Sequence, residues 1–440
     1  MRKLIILSII LILFSCKKET KKQENHSQSD LPVLDAYQFT EKNNPDEIAR
    51  YKQEIQQYSD TLWSRTPDLS GGFLVAKNGE IIFEHYQGYA DLSKQTPIDA
   101  NTPIHIASVS KTLTSAVILR LINAEKLGLD DKVQKILPQF PYPDITVRML
   151  LNHRSGLPKY EHFTEDATIW DKTKTLHNQD IVNLLAKHKL PLMFKPDTHF
   201  TYCNTNYAVL ALIVEKITKM DFRTAMKKMV FEPLDMKNTY VFDLAKDSIR
   251  SSQSYIRNNQ LYKFNYLDDI YGDKNVYSTP RDLLKFDLAR YNPTFLSEDL
   301  QKQVFKGYSY EKDGVKNYGL GTRMKEYPNG KTLYYHNGLW HGNNASYYHL
   351  KDEHVTIISL GNVLNRNIYS VLKLVPLFGD YPVYFDLEKD ENEPSELEKA
   401  KRIADSLKRA EDSIKKLNLK KQKTEEKNHL LKEKKDSTEL

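Results

Sequence analysis

The chain has 440 residues, which is enough for one large domain or two with a sizeable core. Its formal net charge of +6 is small beside 64 basic and 58 acidic residues, which argues against a nucleic-acid-binding protein with a strongly basic surface. Hydrophobic residues make up 40% of the chain, a share typical of a soluble globular body with polar extensions.

The amino terminus has the features of an export signal. Two basic residues precede an apolar run over residues 4–14, which is too short to span a bilayer and is followed by Ser15 and Cys16. Residues 13–16, Leu-Phe-Ser-Cys, resemble a bacterial lipobox, which implies a lipid on Cys16. Because lysine rather than aspartate follows, this resemblance implies an outer-membrane lipoprotein, periplasmic or surface-facing. The alternative is an ordinary signal peptide or a short anchor with a chance cysteine.

Residues 1–16 are therefore assigned as a lipoprotein signal peptide. The polar residues 17–44 predict a flexible tether between the membrane and the folded domain. Cys203 is the second of two cysteines, so a lipidated Cys16 leaves it without a disulfide partner.

The folded body, predicted for residues 45–385, starts with a helix and then a sheet. Apolar residues recur at helical spacing over 45–62 and predict an amphipathic helix. Two β-rich runs, 72–76 and 80–85, flank Asn78-Gly79 and predict a β-hairpin. Helices and an antiparallel hairpin in this order indicate an α+β fold rather than a wound parallel sheet.

The segment 104–121 carries the strongest chemical signal. Ser108 is predicted on the first turn of an apolar helix, with Lys111 one turn away on the same face. This spacing sets a weak nucleophile beside an amine that can take its proton, and directs a first-turn N–H at a developing oxyanion. The pattern alone is weak, since Ser-x-x-Lys also occurs at four other serines: Ser15, Ser309, Ser370 and Ser413.

The middle of the chain predicts a mostly helical lobe inserted into the sheet domain, with helices over 179–188, 206–220 and 222–231. Tyr202 and Asn204, two residues apart in a loop before a helix, are expected to face one cleft. His153 is interpreted as a structural histidine at a helix end rather than a catalytic one. No metal-ligand spacing is present, so neither a metal nor a cofactor is predicted.

Towards the carboxyl terminus the sequence predicts strands and then a charged tail. Residues 331–342 form a strand in which His336 and Gly338 precede a loop, and 345–350 and 355–360 are paired strands that close the sheet. Residues 386–440 carry a heptad-like apolar pattern among dense charges, which predicts a marginal coiled coil or a solvated helix with a disordered end. The coiled coil would allow a partner or a second copy to bind.

Three motifs in order, Ser108-x-x-Lys111, Tyr202-x-Asn204 and His336-x-Gly338, resemble those of the serine β-lactamase and penicillin-binding-protein superfamily. Three further segments, 150–158, 231–238 and 277–283, are similar to the class C branch of this superfamily. The resemblance covers about residues 45–380. It implies an antiparallel sheet flanked by helices, an α-helical lobe, and an active site between them.

Carried over to this sequence, the resemblance implies that Ser108 is the acylated nucleophile and that Lys111 and Tyr202 share the role of base. Asn204 would hold Lys111 and the substrate amide. The backbone N–H groups of Ser108 and Leu339 would form the oxyanion hole. No cofactor is implied.

One departure changes the expected substrate. His336 stands where β-lactamases of this group have a lysine, and a histidine with a reference pKa of about 6.5 is mostly neutral at pH 7. The first hypothesis is therefore a lipid-anchored hydrolase of esters or D-amino-acid amides and peptides. The alternatives are a D,D-carboxypeptidase or weak β-lactamase, and a non-catalytic envelope scaffold that binds cell-wall peptides.

Overall fold

A computed structural model describes residues 33–248 and 251–383. The chain divides into two units, 1–383 and 384–440, and all described residues belong to the first. The signal peptide with Cys16 and the charged tail at 386–440 lie outside the described residues, so the predictions for them, and the domain boundaries that depend on them, stay predictions.

A seven-stranded antiparallel sheet forms the centre of the described residues. Its strands are β1 Gly71–Lys77, β2 Glu80–Gln87, β8 Lys316–Tyr318, β9 Arg323–Glu326, β10 Thr332–Trp340, β11 Asn343–Leu350 and β12 Val355–Gly361. The strand order is β2-β1-β12-β11-β10-β9-β8. The first strand therefore pairs with the last one, and Leu74 in β1 lies opposite Ile358 in β12.

The predicted hairpin is confirmed. Asn78 and Gly79 both adopt positive φ, 51° and 80°, as the two central residues of a type I′ turn require. Asparagine and glycine tolerate this conformation best, so the local sequence sets the register of β1 against β2.

The predicted amphipathic helix is also confirmed, as α1 Pro45–Tyr58. Its first turn is capped by Asn44, and its buried face carries Tyr51, Ile55 and Tyr58. Helix α10, Pro280–Ala289, packs on β1 and β12, so helices and sheet form the α+β architecture that the sequence predicted.

A mostly helical lobe is inserted between β5 Ile104–His105 and β7 Val276–Ser278. These two strands pair with each other, and β7 also pairs with β6 Tyr240–Val241, so the three form a small sheet in the order β5-β7-β6. Helix α7, Asn204–Thr218, is almost wholly buried and packs against α2 Ser110–Asn123. The remaining elements are β3 Tyr89–Asp91, β4 Thr96–Pro97, α3 Val133–Ile136, α4 Val147–Leu151, α5 Tyr160–Phe163, α6 Asn178–Lys187, α8 Phe222–Met226, α9 Leu244–Asp247 and α11 Glu298–Val304.

Among the described residues, no helix combines the length and the apolar character that crossing a bilayer requires. The same residues contain no group of three or more His, Cys, Asp or Glu side chains arranged to hold a metal ion.

Candidate active site

Ser108 lies on a single 3₁₀ turn, Ala107–Val109, that joins β5 to α2. The sequence predicted it on the first turn of the α-helix, which in fact begins at Ser110, so the predicted nucleophile lies just before the helix. Ala107 has a φ of +47°, a costly conformation for a residue with a Cβ. The chain thus turns sharply at Ser108, whose flanking residues Ala107 and Val109 are fully buried while Ser108 is half-buried.

Lys111 lies beside Ser108, as the spacing predicted. Its Nζ is 3.0 Å from the Oγ of Ser108 and donates at 2.7 Å to the main-chain carbonyl of Asp273. The side chain is fully buried. Two neutral oxygens therefore hold the amine in place next to the nucleophile, within proton-transfer distance.

Strand β10 passes directly against the Ser108 turn. A Cβ added at Gly338 would lie 2.9 Å from the backbone nitrogen of Ser108 and 2.6 Å from the carbonyl oxygen of Ile106. Only glycine allows this approach, and the Tyr369 hydroxyl fixes the strand by donating to the Gly338 carbonyl at 2.7 Å. Leu339 follows Gly338 directly, so the two backbone segments predicted to form the oxyanion hole lie side by side.

Tyr202 lies in the same site. The Nζ of Lys111 is 5.0 Å from the centre of the Tyr202 ring, and the guanidinium carbon of Arg323 is 4.4 Å from it. The hydroxyl of Tyr202 is buried and has no hydrogen-bond partner within the described structure. The phenol therefore lies next to the Lys111 amine and the Arg323 guanidinium, with its hydroxyl available to a substrate or a proton.

His153 supports Tyr202 rather than acting on the nucleophile. Its Nδ1 accepts from the backbone N–H of Cys203 at 3.2 Å and from the amide of Asn206 at 3.1 Å. The His153 and Tyr202 ring centres are 4.4 Å apart. Burial lowers the pKa of His153 well below its usual value, and the charges of Lys111 and Arg323 lower it further. The structural role predicted for His153 agrees with these contacts.

His336 is fully buried, and its ring centre lies 6.2 Å from that of Tyr202. Its Nδ1 donates to the carbonyl of Asn337 at 2.8 Å, so the Nε2 accepts from the hydroxyl of Tyr318 at 3.1 Å. Burial, and then the positive charge of Arg323, lower the pKa of His336 well below its usual value. The imidazole is thus neutral at neutral pH and supplies no fixed positive charge.

Asn204 does not make the contact with Lys111 that the resemblance implied. Its Nδ2 donates to Oε1 of Glu161 at 3.0 Å, and its Oδ1 is buried and has no hydrogen-bond partner among the described residues. The carbonyl of Asp273 holds Lys111 instead. Tertiary packing brings α5 against the start of α7, so the Asn204 amide points its N–H to the carboxylate of Glu161.

The sequence did not indicate Glu161, Asp273 or Arg323. The carboxylate of Asp273 accepts from the hydroxyl of Tyr160 at 2.7 Å and lies 3.5 Å from the Nζ of Lys274, in a pair with side chains only 1% and 3% exposed. Such a buried pair rigidifies the segment whose carbonyl holds Lys111. No residue spacing marks these groups, because each comes from a different part of the chain.

The site therefore brings together six of the predicted residues: Ser108, Lys111, Tyr202, His336, Gly338 and Leu339. A serine hydroxyl, an amine, a phenol and a glycine-bearing strand around one turn are the groups that an acyl-transfer reaction needs. They are the groups of a serine hydrolase with a lysine and a tyrosine beside the predicted nucleophile.

The comparisons with known proteins agree. A family model described as Beta-lactamase matches residues 60–368. Over 329 residues the chain is 32% identical to penicillin-binding protein 4* of Bacillus subtilis, covering 71% of this chain and 72% of that protein. The chain belongs to the beta-lactamase family of serine hydrolases, and this confirms the resemblance seen in the sequence.

Other relatives differ in length or are more distant. The chain is 27% identical over 315 residues to a D-aminopeptidase of Brucella canis, and this match covers 69% of the chain but only 58% of that enzyme. A penicillin-binding protein of Bacillus halodurans has a TM-score of 0.62 at 23% identity, covering 76% of this chain and 99% of that one. A D-amino acid amidase of Ochrobactrum anthropi has a TM-score of 0.60 at 22% identity, covering 76% and 97%. These two structures establish the fold.

Proposed function

We propose that this protein is a lipid-anchored serine hydrolase that forms an acyl-enzyme on Ser108 and acts on D-amino-acid amides or peptides, or on esters. The proposal depends above all on the 3.0 Å contact between the Nζ of Lys111 and the Oγ of Ser108. Relatives described as a D-aminopeptidase and a D-amino acid amidase support this class of substrate.

In the proposed acylation step, the Oγ of Ser108 attacks the carbonyl carbon of the substrate. Its proton passes to Lys111 or Tyr202, which share the role of base. The carbonyl oxygen gains the negative charge and lies between the N–H groups of Ser108 and Leu339. The tetrahedral intermediate collapses, and the leaving amine or alcohol takes the proton. Water then attacks the carbonyl carbon of the acyl group on Ser108 by the same route. This releases the acid and restores the Ser108 hydroxyl.

A second candidate is a D,D-carboxypeptidase or a weak β-lactamase. The 32% identity to a protein described as penicillin-binding protein 4* favours it. The neutral, buried His336 argues for poor turnover of substrates that are held by a carboxylate, because it offers no fixed charge to bind that group. The esterase or D-amino-acid hydrolase therefore remains the first candidate.

One experiment tests the hydrolase and separates the two candidates. Purified protein is treated with a fluorophosphonate probe, and the adduct is located by mass spectrometry; we expect it on Ser108. Turnover is then compared for short acyl esters, D-alanine peptides and nitrocefin. Nitrocefin turnover as fast as that of the best ester or amide would favour the second candidate. A folded protein that takes no label on Ser108 would refute both.

We also propose export and lipid anchoring through Cys16. The basis is the resemblance of residues 13–16 to a lipobox after a short apolar run. Cells labelled with a palmitate analogue are expected to show a labelled outer-membrane protein. The Cys16→Ala variant should lose both the label and the outer-membrane fractionation, and a labelled variant would contradict the proposal.

For the charged tail, 386–440, we propose binding to a partner or to a second copy through its helical segment. Light scattering on the exported chain with and without these residues tests self-association. A pull-down from an envelope extract with the same two proteins tests for a partner. An unchanged mass together with an unchanged set of bound proteins would contradict this assignment.

A further inference from the structure

A buried histidine holds the backbone directly before Ser108. His105 is the last residue of β5, and its Nδ1 accepts from the backbone N–H of Ala107 at 3.0 Å. Ala107 is also the residue with the costly φ of +47°. Such a conformation persists where the surrounding structure fixes it, and this hydrogen bond supplies part of that restraint. His105 therefore helps to set the direction of the Ser108 N–H, which follows in the chain.

A buried carboxylate holds the chain directly after Leu339. The Nε1 of Trp340 and the Nε2 of His341 both donate to Oδ1 of Asp268, at 2.8 and 2.6 Å. Burial alone would raise the pKa of Asp268, but the hydrogen bond from His341 helps to hold it below its usual value. The carboxylate is therefore ionised, and its hydrogen bonds are of the strong, charge-assisted kind.

Asn275 connects these two anchors. Its Oδ1 accepts from Nε2 of His105 at 3.1 Å, and its Nδ2 donates to the main-chain carbonyl of Asp268 at 2.6 Å. The donors and acceptors are consistent along the whole chain of bonds: because Nδ1 of His105 accepts from Ala107, the neutral ring carries its proton on Nε2. All three side chains are buried. We call His105, Asn275 and Asp268 the oxyanion network.

The two ends of this network lie next to the two backbone donors of the predicted oxyanion hole. We propose that the oxyanion network holds the N–H groups of Ser108 and Leu339 at a fixed separation, so that both converge on one substrate oxygen. Its members are positioning residues, since they act through the backbone and do not touch the substrate. This inference rests on the proposed hydrolase function, in which these two donors stabilise the oxyanion.

The network complements the close contact at Gly338. That contact limits how near β10 can come to the Ser108 turn, because a Cβ on Gly338 would already lie 2.9 Å from the Ser108 nitrogen. The network limits how far the two segments can move apart. An oxyanion donor is effective only within hydrogen-bond distance of the charged oxygen, and a misplacement of about 1 Å can cost about 10²-fold in rate.

The test compares p-nitrophenyl butyrate with p-nitrophenyl thionobutyrate, in which sulfur replaces the carbonyl oxygen. Both release the same leaving group, but sulfur is a weak hydrogen-bond acceptor, so the thionoester gains little from well-placed donors. The exported chain is expected to have the higher kcat/KM for the ester. In Asp268→Ala, the ratio of the ester kcat/KM to the thionoester kcat/KM should fall at least about tenfold, mainly through kcat for the ester. Asp268→Asn keeps a side-chain oxygen for Trp340 and His341 and should keep part of the ratio.

A second variant interrupts the network at its centre. Asn275→Gly removes both hydrogen bonds of the amide, and glycine accepts the φ of 72° at this position, so it decides the question if Asp268→Ala does not fold. The same fall in the ratio is expected. The matched control is Asp269→Ala, because the carboxylate of Asp269 pairs instead with Arg223 at 3.1 Å and His177 at 2.7 Å. It should keep the wild-type ratio.

Chemical denaturation shows which variants are folded. A folded Asn275→Gly variant with the wild-type ratio overturns the inference even if both rates are lower, because a loss of active protein affects the two substrates equally. A wild-type protein that is labelled by the fluorophosphonate probe on Ser108 but does not prefer the ester also overturns it, and leaves the proposed acyl-enzyme standing. A folded protein with no label on Ser108 overturns the proposed function, and the inference with it.

Discussion

The two sides of the active site differ in how completely their polar groups are partnered. On the Ser108 side, the Lys111 amine contacts Ser108 and Asp273 at 3.0 and 2.7 Å, and the Gly338 carbonyl accepts from Tyr369 at 2.7 Å. On the Tyr202 side, the hydroxyl of Tyr202 and one side-chain oxygen each of Asn204 and Glu161 are buried and have no hydrogen-bond partner in the part of the chain that the structure describes.

In the proposed mechanism this contrast separates preorganisation from recognition. Groups that would hold one geometry during the reaction are fixed by the protein itself, at no reorganisation cost in the transition state. Groups that would meet the substrate carry unsatisfied hydrogen-bonding capacity, which is costly in the free protein and would be satisfied on binding. The predictions below test each side in turn, starting with the largest expected effect.

The nucleophile itself gives the largest effect. Ser108→Ala should lower kcat by about 10⁴-fold or more, because no acyl-enzyme can form. Loss of the fluorophosphonate label, measured by mass spectrometry, should accompany it. Ser309→Ala is the control, since Ser309 also heads a Ser-x-x-Lys sequence but hydrogen-bonds Arg154 away from the turn. Equal loss in both variants would refute the assignment.

Tyr202→Phe tests the Tyr202 side of the site, where buried polar atoms lack hydrogen bonds. It should lower kcat about 10²- to 10⁴-fold, as expected for the loss of a general base. The removed hydroxyl has no hydrogen-bond partner among residues 33–248 and 251–383, so the free energy of unfolding should stay the same or rise. Enzyme kinetics measure kcat and chemical denaturation measures the free energy of unfolding, both on the same preparation. If kcat fell only because the variant had lost stability, the role of Tyr202 in recognition and catalysis would be contradicted.

Gly338→Ala tests the Ser108 side of the site, where the polar groups are hydrogen-bonded. The added methyl would lie 2.9 Å from the Ser108 nitrogen and 2.6 Å from a carbonyl oxygen, so β10 must move away from the turn. We expect kcat to fall about 10²- to 10³-fold, the range seen when one oxyanion donor is lost. Overpacking should also destabilise the fold by about 1–3 kcal/mol.

Gly128→Ala is the matched control for this variant, because its added Cβ would meet only the side chain of Asp131, nearest at 3.1 Å. It should leave kcat close to the wild-type value. Full activity of Gly338→Ala would show that β10 does not need to approach Ser108 so closely.

The same contrast explains what could be read from the sequence. Ser108 and Lys111 are three residues apart, so their spacing predicted that the two side chains lie next to each other. The Asn78-Gly79 turn determines its own hairpin, so the local sequence predicted that element as well. Glu161 and Asn204 are 43 residues apart, and Lys111 and Asp273 are 162 apart. Only tertiary packing brings such pairs together, and nothing in their spacing shows it. The pairing of β1 with β12 was equally inaccessible.

Buried histidines on both sides of the site should make the fold sensitive to acid. Burial lowers the pKa of His105 to about 4, and those of His153 and His336 well below the usual value. In the unfolded chain these groups take up protons near pH 6.5, whereas the folded protein does not. Their contribution to stability is therefore complete above pH 7. It falls as the pH drops below 6.5, by about 1.4 kcal/mol per pH unit for each histidine.

Denaturation in urea at pH 7.5, 6.0 and 5.0 measures this slope. Replacing His336 with Asn removes one titrating group, so the loss of stability between pH 6.0 and 5.0 should shrink by about 1.4 kcal/mol relative to the wild type, whatever the variant's stability at pH 7.5. His199→Gln, at an exposed position, should keep the wild-type slope. An unchanged slope in the His336 variant would mean that the imidazole takes up a proton in the folded protein over this pH range. Its positive charge would then add to that of Arg323 in the site, and carboxylate-bearing substrates would become the better candidates.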